Sequence, residues 1–69
     1  MTLHEAIEQV LKEKRVAMTS SELADAINSR HLYERQDKQP IKASQISARV
    51  PHYPELLKKE GNKISLVNW

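Results

Sequence analysis

The chain has 69 residues and no cysteine, with 11 Lys and Arg against nine Asp and Glu, so it is expected to form a single domain, residues 1–69, without disulfides or cysteine-based zinc sites. No apolar run approaches the roughly 20 residues of a membrane helix, and the first residues lack a secretion signal, so a cytoplasmic location is expected. The formal net charge of +2 permits a nucleic-acid partner without requiring one.

The first predicted element is a helix over about residues 3–14. Thr2, followed three residues later by Glu5, forms a capping box in which each side chain bonds the backbone amide of the other residue. Apolar residues then recur at spacings that place them in one stripe along a helix. The stripe consists of Leu3, Ala6, Ile7, Val10 and Leu11.

A second helix is predicted over about residues 20–30, because Thr19 and Glu22 repeat the capping box. Apolar residues again follow at helical spacing and form one side of this helix. Just before it, Val16 and Met18 alternate with small or polar neighbours, which is compatible with a very short strand.

Between the second helix and the next, the chain becomes polar. Leu32 and Tyr33 are expected to fold back onto the core, whereas residues 34–40 carry no apolar side chain except a proline ring and are predicted to form an exposed loop. A third helix is predicted from about residue 42 or 43 to at least residue 50. Pro51 should end or kink it, because proline lacks an N–H and clashes with the preceding turn.

The last element is predicted to be a β-hairpin, with strands over residues 56–60 and 63–67 joined by a turn through residues 61–62. This turn places Leu57 directly across from Leu66 on one face of the hairpin. Three helices followed by a hairpin wing are the order of a winged helix–turn–helix. The predicted fold class is therefore α+β and mostly helical, with a C-terminal β-hairpin wing.

The third helix is the best candidate for a binding surface. A projection at about 100° per residue points Ile46 and Val50 inward, and the outward face is polar or cationic because residues 38–54 contain no carboxylate. Such a helix can approach a DNA duplex closely, with Gln45 reading adenine and Ala48 meeting a thymine methyl. The predicted DNA contacts on this helix and on the wing are Lys38, Lys42, Ser44, Gln45, Ser47, Ala48, Arg49, His52, Lys58, Lys59, Asn62 and Lys63.

The charges divide unevenly along the chain. Residues 1–34 hold six acids and four bases, whereas residues 35–69 hold three acids and seven bases. Binding of DNA through counterion release needs such a concentration of cations on one side of a domain. Any solvated helix also carries serine, glutamine and lysine, so the polar face of the third helix does not decide the function by itself.

The sequence lacks the features of a catalytic or metal site. His4, His31 and His52 are too widely separated for a local metal-ligand spacing, and one glycine is too few for a glycine-rich phosphate loop. Ser20 and Ser21 lie at a predicted helix start and have no paired base. We therefore expect neither enzymatic activity nor a bound cofactor.

Three stretches of the chain occur in an order typical of a known family. They are Thr2-Leu-His-Glu-Ala-Ile-Glu-Gln-Val-Leu11, Met18-Thr-Ser-Ser-Glu-Leu-Ala-Asp-Ala-Ile27 and Gln45-Ile-Ser-Ala-Arg-Val50. The chain resembles the HARE-type helix–turn–helix domain over nearly its whole length. The resemblance implies a winged helix of the kind attached to chromatin regulators, to restriction-type nucleases and to the delta subunit of bacterial RNA polymerase. DNA binding is the usual proposal for this family, whereas the delta-subunit version suggests docking on a protein.

The sequence departs from the family pattern at three places. Lys14 and Arg15 stand where a glycine is often found, and Leu57 replaces the aromatic residue common before the wing. Pro51 interrupts the third helix unusually early, which limits how far the predicted contact surface extends. His52 is the residue most affected by that interruption.

Two alternatives to duplex binding are compatible with the sequence. A protein-interaction module that docks on RNA polymerase or on a nuclease subunit would need an exposed apolar patch. Leu32, Tyr33, Tyr53 and Trp69 are the candidates for that patch. A binder of single-stranded nucleic acid would instead use the two tyrosines as stacking platforms.

Overall fold

Three helices and a three-stranded antiparallel sheet make up the part of the chain that the computed structural model describes, residues 2–33 and 39–68. In chain order the elements are α1 (Leu3–Lys14), β1 (Met18–Thr19), α2 (Ser20–Arg30), α3 (Ala43–Arg49), a 3-10 turn (Val50–His52), β2 (Leu57–Glu60) and β3 (Lys63–Leu66). The α+β class is confirmed, and the element order is compatible with a winged helix. Most of the predicted loop, residues 34–38, lies outside the described residues.

Both predicted capping boxes are present and explain where α1 and α2 begin. The Glu5 N–H donates to the Thr2 hydroxyl at 3.3 Å, and the Thr2 N–H donates to the Glu5 carboxylate at 2.8 Å. The corresponding distances between Thr19 and Glu22 are 3.1 and 2.9 Å. These backbone hydrogen bonds hold the pKa values of both carboxyls below their ordinary value. The two helices start at the predicted residues because short-range hydrogen bonds define their ends.

The C-terminal ends of α1 and α2 use left-handed residues that are not glycine. Arg15 follows α1 with a φ of 56°, and its N–H donates to the Leu11 carbonyl at 2.8 Å. His31 follows α2 with a φ of 53°. Left-handed backbone costs an L-residue about 1–2 kcal/mol, and glycine avoids this cost. Both positions therefore hold local strain.

The Arg15→Gly variant should be more stable than the wild type by about 1 kcal/mol, because glycine relieves the left-handed strain and loses only part of that gain to chain entropy. A gain of this size raises the melting temperature of a domain this small by about 4–8 °C. Arg15→Ala is the control, since it removes the same side chain and keeps the strain. Thermal melts that show equal gains for the two variants would rule out a backbone origin.

The sheet has the order β1-β3-β2, and its hairpin has the predicted register, with Leu57 opposite Leu66. Gly61 adopts a φ of 62° in the turn, a conformation that a side chain would disfavour. The short strand β1 pairs with β3 through Met18 and Ile64, so the wing belongs to a three-stranded sheet. This pairing was not part of the sequence prediction.

One core joins all the elements. α1 and α2 contribute their predicted apolar stripes, and the inner face of the sheet contributes Met18, Leu57, Ile64 and Leu66. Leu32 and Tyr33 are half-buried against this core, as expected. None of the helices within the described residues is long and apolar enough to cross a membrane.

The third helix ends one residue earlier than expected. α3 stops at Arg49, and a 3-10 turn, closed by the Tyr53 N–H to the Val50 carbonyl at 3.1 Å, takes over. The reason is Pro51, which has no N–H to continue the α-helical hydrogen bonds. The prediction that this helix reaches at least residue 50 was therefore wrong by one residue, although Val50 is buried as predicted.

Candidate functional site

Two polar contacts and one apolar anchor fix α3 against α2. The Asn28 side chain forms a pair of hydrogen bonds with the backbone of Ile41, donating to its carbonyl and accepting from its N–H, both at 2.9 Å. The hydroxyls of Ser20 and Ser47 hydrogen-bond at 2.6 Å. Ile46 fills the core between these contacts and is fully buried. The entry to α3 and its middle are therefore both held by α2.

The outward side of α3 is small and exposed. Ser44 and Ala48 are exposed on the helix, and His52 is exposed on the 3-10 turn that continues it. Gln45 is half-buried, and its side-chain carbonyl accepts from the Lys42 N–H at 2.8 Å. Gln45 therefore caps its own helix. To read adenine with both the carbonyl oxygen and the NH₂ of its side chain, Gln45 would have to break this bond.

The two cations of α3 lie far apart on the helix. Lys42 is exposed at the N-cap, whereas Arg49 is exposed on the last residue. Arg49 borders a shallow hollow with His4 and Tyr53, whose rings stack with centroids 3.9 Å apart and an interplanar angle of 22°. Ser47, in contrast, faces α2 and is half-buried. The predicted contacts on α3 thus divide into an outward group, a cation at each end of the helix, and Ser47 on the side that faces α2.

The structure separates the wing lysines that the sequence analysis had grouped. Lys59 pairs with Ile64 across the hairpin and shares its face, the side on which the helices pack. Lys58 and Lys63 lie on the opposite face, because side chains alternate along a strand. The Lys58 ammonium is 3.4 Å from the Glu60 carboxylate. Lys59 and the exposed turn residue Asn62 therefore remain the candidates on the wing for a surface shared with α3.

Two carboxylates lie close to the wing lysines, Glu60 beside Lys58 and Glu22 beside Lys63. The hydrogen bond with the Thr19 backbone lowers the pKa of Glu22 most, and the charge of Lys63 lowers it further. Both carboxylates offset part of the positive charge of the wing. Lys38, the remaining predicted cation, lies outside the described residues.

Of the apolar residues proposed as anchors for a protein partner, the three that the structure describes do not form an exposed patch. Leu32, Tyr33 and Tyr53 are half-buried and pack against the core. Trp69 lies outside the described residues. Within the described parts of the chain, the large exposed apolar side chains are Val16 and Val67. From the sequence, Val16 is instead compatible with a short strand, and Val67 is predicted in the last strand of the hairpin.

Two of the histidines have structural roles in the fold. His4 stacks on Tyr53, and His31 forms the C-cap of α2. No group of three or more His, Cys, Asp or Glu side chains that could hold a metal ion comes together within residues 2–33 and 39–68.

A family model for the helix–turn–helix domain found in ASXL proteins and restriction endonucleases, HARE-HTH, matches residues 1–69, the whole chain. The chain belongs to the HARE-HTH family. No curated protein and no solved structure gives a significant match to it. Membership confirms the family resemblance of the three sequence stretches, and it suggests a DNA-binding helix–turn–helix domain. In this HARE-HTH domain, α2 and α3 pack directly against each other and are joined by the Asn28 and Ser47 contacts.

Proposed function

We propose that this HARE-HTH domain binds double-stranded DNA, with α3 in the major groove and the wing on the phosphate backbone. The observation that carries the proposal is the outward face of α3, where Ser44 and Ala48 are exposed and no carboxylate intervenes. The major groove is about 12 Å wide and admits a helix, and small side chains let the helix approach the base edges. A role in transcription or DNA processing, in the cytoplasm or bacterial nucleoid, follows from this proposal.

The proposed contacts form three groups. Ser44 and Ala48 meet base edges, and Gln45 adds its side-chain NH₂ while its carbonyl caps the helix. Lys42 and Arg49 hold phosphates at the two ends of α3, where they set its position without reading sequence. On the wing and beyond α3, the proposed contacts to the same duplex are the exposed residues Lys59, Asn62 and His52.

Removal of both α3 cations should change the salt dependence of duplex binding. In the Lys42→Gln/Arg49→Gln double variant, the slope of log K against log salt is expected to become shallower by about 1.8, because each neutralised phosphate contributes about 0.9. Fluorescence anisotropy with a short labelled duplex, between about 50 and 200 mM salt, measures this slope.

Lys12→Gln/Lys14→Gln is the matched control for this experiment, since it removes the same charge from the exposed C-terminal turn of α1. We expect it to leave the slope unchanged. Equal effects of the two double variants, or binding that does not weaken as salt rises, would contradict the proposal. An unlabelled single strand that competes better than the duplex would favour the single-strand alternative instead.

A further inference from the structure

The face of the sheet that points away from the helices carries a second surface. Side-chain alternation and the strand register place Thr19, Glu60 and Lys63 in one row and Lys58 and Ser65 in the next. The link between α1 and β1 forms one wall of a shallow groove on this face. We call the surface the outer sheet face; its residues are Arg15, Val16, Ala17, Lys58, Glu60, Lys63 and Ser65.

The outer sheet face carries large apolar side chains that are exposed to solvent. Val16 is 53% exposed at the edge of the groove, whose floor is formed by the buried Ser65. Val67 is 40% exposed beyond the end of β3, where its N–H extends the ladder to the Leu56 carbonyl at 3.0 Å. Side-chain alternation along β3 places Val67 on the same side as Ser65, so both large apolar side chains that are exposed among the described residues border this face. An apolar ligand group placed here would be desolvated on contact.

The same surface has an excess of positive charge. Three cations, Arg15, Lys58 and Lys63, line the groove with one carboxylate, Glu60, which pairs with Lys58 and lies across the hairpin from Lys63. Glu22 lies close to Lys63, whose charge lowers the Glu22 pKa, so the cations exceed the carboxylates by one. Arg15 is also the strained left-handed residue after α1, so its cation is held at this groove despite a conformational cost. A cationic side chain and a strained backbone therefore occur at the same residue of this groove, Arg15.

We propose that the outer sheet face binds a short acidic segment of another protein that also carries an apolar side chain. The three cations complement acidic side chains, and Val16 and Val67 supply apolar contact area. A DNA backbone has no apolar side chain to place against the two valines. A peptide has backbone N–H groups that can donate to Glu60. The surface faces away from the core that holds α3, so the peptide and a duplex can bind together.

The first test uses a short synthetic peptide of alternating Asp and Leu residues, and the matched peptide with Ser in place of every Leu. Amide shifts of the labelled wild-type protein should move at residues 15–17, 58–60 and 63–65 and stay constant at residues 43–49. The Leu peptide should bind about tenfold more tightly than the Ser peptide, because its side chains bury apolar surface against the valines. Equal affinities, or shifts centred on α3, would overturn the proposal.

The second test separates binding from folding by single substitutions. Arg15→Gly should weaken binding of the Leu peptide by about fivefold although it stabilises the fold, and Arg15→Lys should restore most of the affinity. Val16→Ser should weaken it by about tenfold. Lys14→Gln, one residue away, is the control and should leave peptide affinity within about twofold. Peptide affinities that stay at the wild-type value in both Arg15→Gly and Val16→Ser would overturn the proposal.

The third test measures peptide affinity in the presence of a DNA duplex. Wild-type protein saturated with a short DNA duplex should bind the Leu peptide with unchanged affinity. Displacement of the peptide by the duplex would overturn the proposal, because the outer sheet face would then be a phosphate contact. Failure of duplex binding alone, with the peptide results as expected, would contradict only the proposed DNA function.

Discussion

Replacing Asn28 by Ala is expected to lower the free energy of unfolding by about 2–3 kcal/mol. The substitution removes the two hydrogen bonds to the backbone of Ile41, a residue only 4% exposed, so water replaces the lost partners poorly. A buried donor or acceptor left unpaired costs more than an average hydrogen bond contributes. A domain of this size has a net stability of only about 3–10 kcal/mol, so the loss is a large fraction of it.

Urea denaturation followed by circular dichroism measures this effect. Asn28→Asp is the graded variant, because a carboxylate still accepts from the Ile41 N–H but cannot donate to the Ile41 carbonyl; its loss should be intermediate. Ser29→Ala is the neighbouring control, since the exposed Ser29 hydroxyl makes one long bond to the Ala26 carbonyl at 3.4 Å. We expect it to change stability by less than about 0.5 kcal/mol. An Asn28→Ala curve that overlays the Ser29→Ala curve would contradict the assignment.

Asn28 also has a consequence for the proposed function. It fixes the backbone immediately before α3, so its loss should misplace the helix on DNA without removing a charge. Under conditions where Asn28→Ala is still folded, duplex affinity should fall while the salt slope stays at the wild-type value. This pattern is the reverse of the one expected for Lys42→Gln/Arg49→Gln. It would identify Asn28 as a positioning residue.

Features set by short-range interactions could be predicted from the sequence. The capping boxes at Thr2 and Thr19 span three residues, and the hairpin register follows from a two-residue turn. The face of α3 that carries Ser44 and Ala48 follows from helical periodicity alone. Each of these depends on neighbouring residues, and the physics that decides them is local.

Contacts between distant residues could not be predicted in the same way. The Ser20–Ser47 bond joins residues 27 positions apart, and nothing in either local sequence specifies the partner. Asn28 did leave a signal, because it lies four residues after Ala24 on the apolar side of α2, where a polar group needs a partner. The contact between Glu13 and Arg30, which lowers the pKa of Glu13, is likewise visible only in the fold.

The division of the wing lysines was available from the sequence but was not used. Lys59 lies two residues from Leu57, so alternation places it on the inner face, and Lys58 must then face outward. Grouping the lysines by sequence distance therefore put on one surface side chains that the hairpin divides between two faces. The left-handed Arg15 was hidden for another reason: the glycine that usually marks this conformation is absent.

Ile46→Ala should lower the free energy of unfolding by about 3 kcal/mol, because it opens a cavity where α3 meets the core. Ile46 is fully buried, and α3 has only seven residues. A helix this short is not stable by itself and depends on packing, which Ile46 supplies together with Val50. Urea and thermal unfolding of the variant measure the loss.

Ile46→Val is the matched control, since it removes one methylene and should cost only about 0.5–1.5 kcal/mol. It should retain duplex affinity, because it leaves the outward face with Ser44 and Ala48 intact. Ile46→Ala should lose binding only in proportion to the fraction unfolded, and affinity corrected for that fraction should match the wild type. A folded Ile46→Ala protein with normal stability would mean that α3 is held by its contacts with α2 alone, through Asn28 and Ser47, and that the core beneath it contributes little.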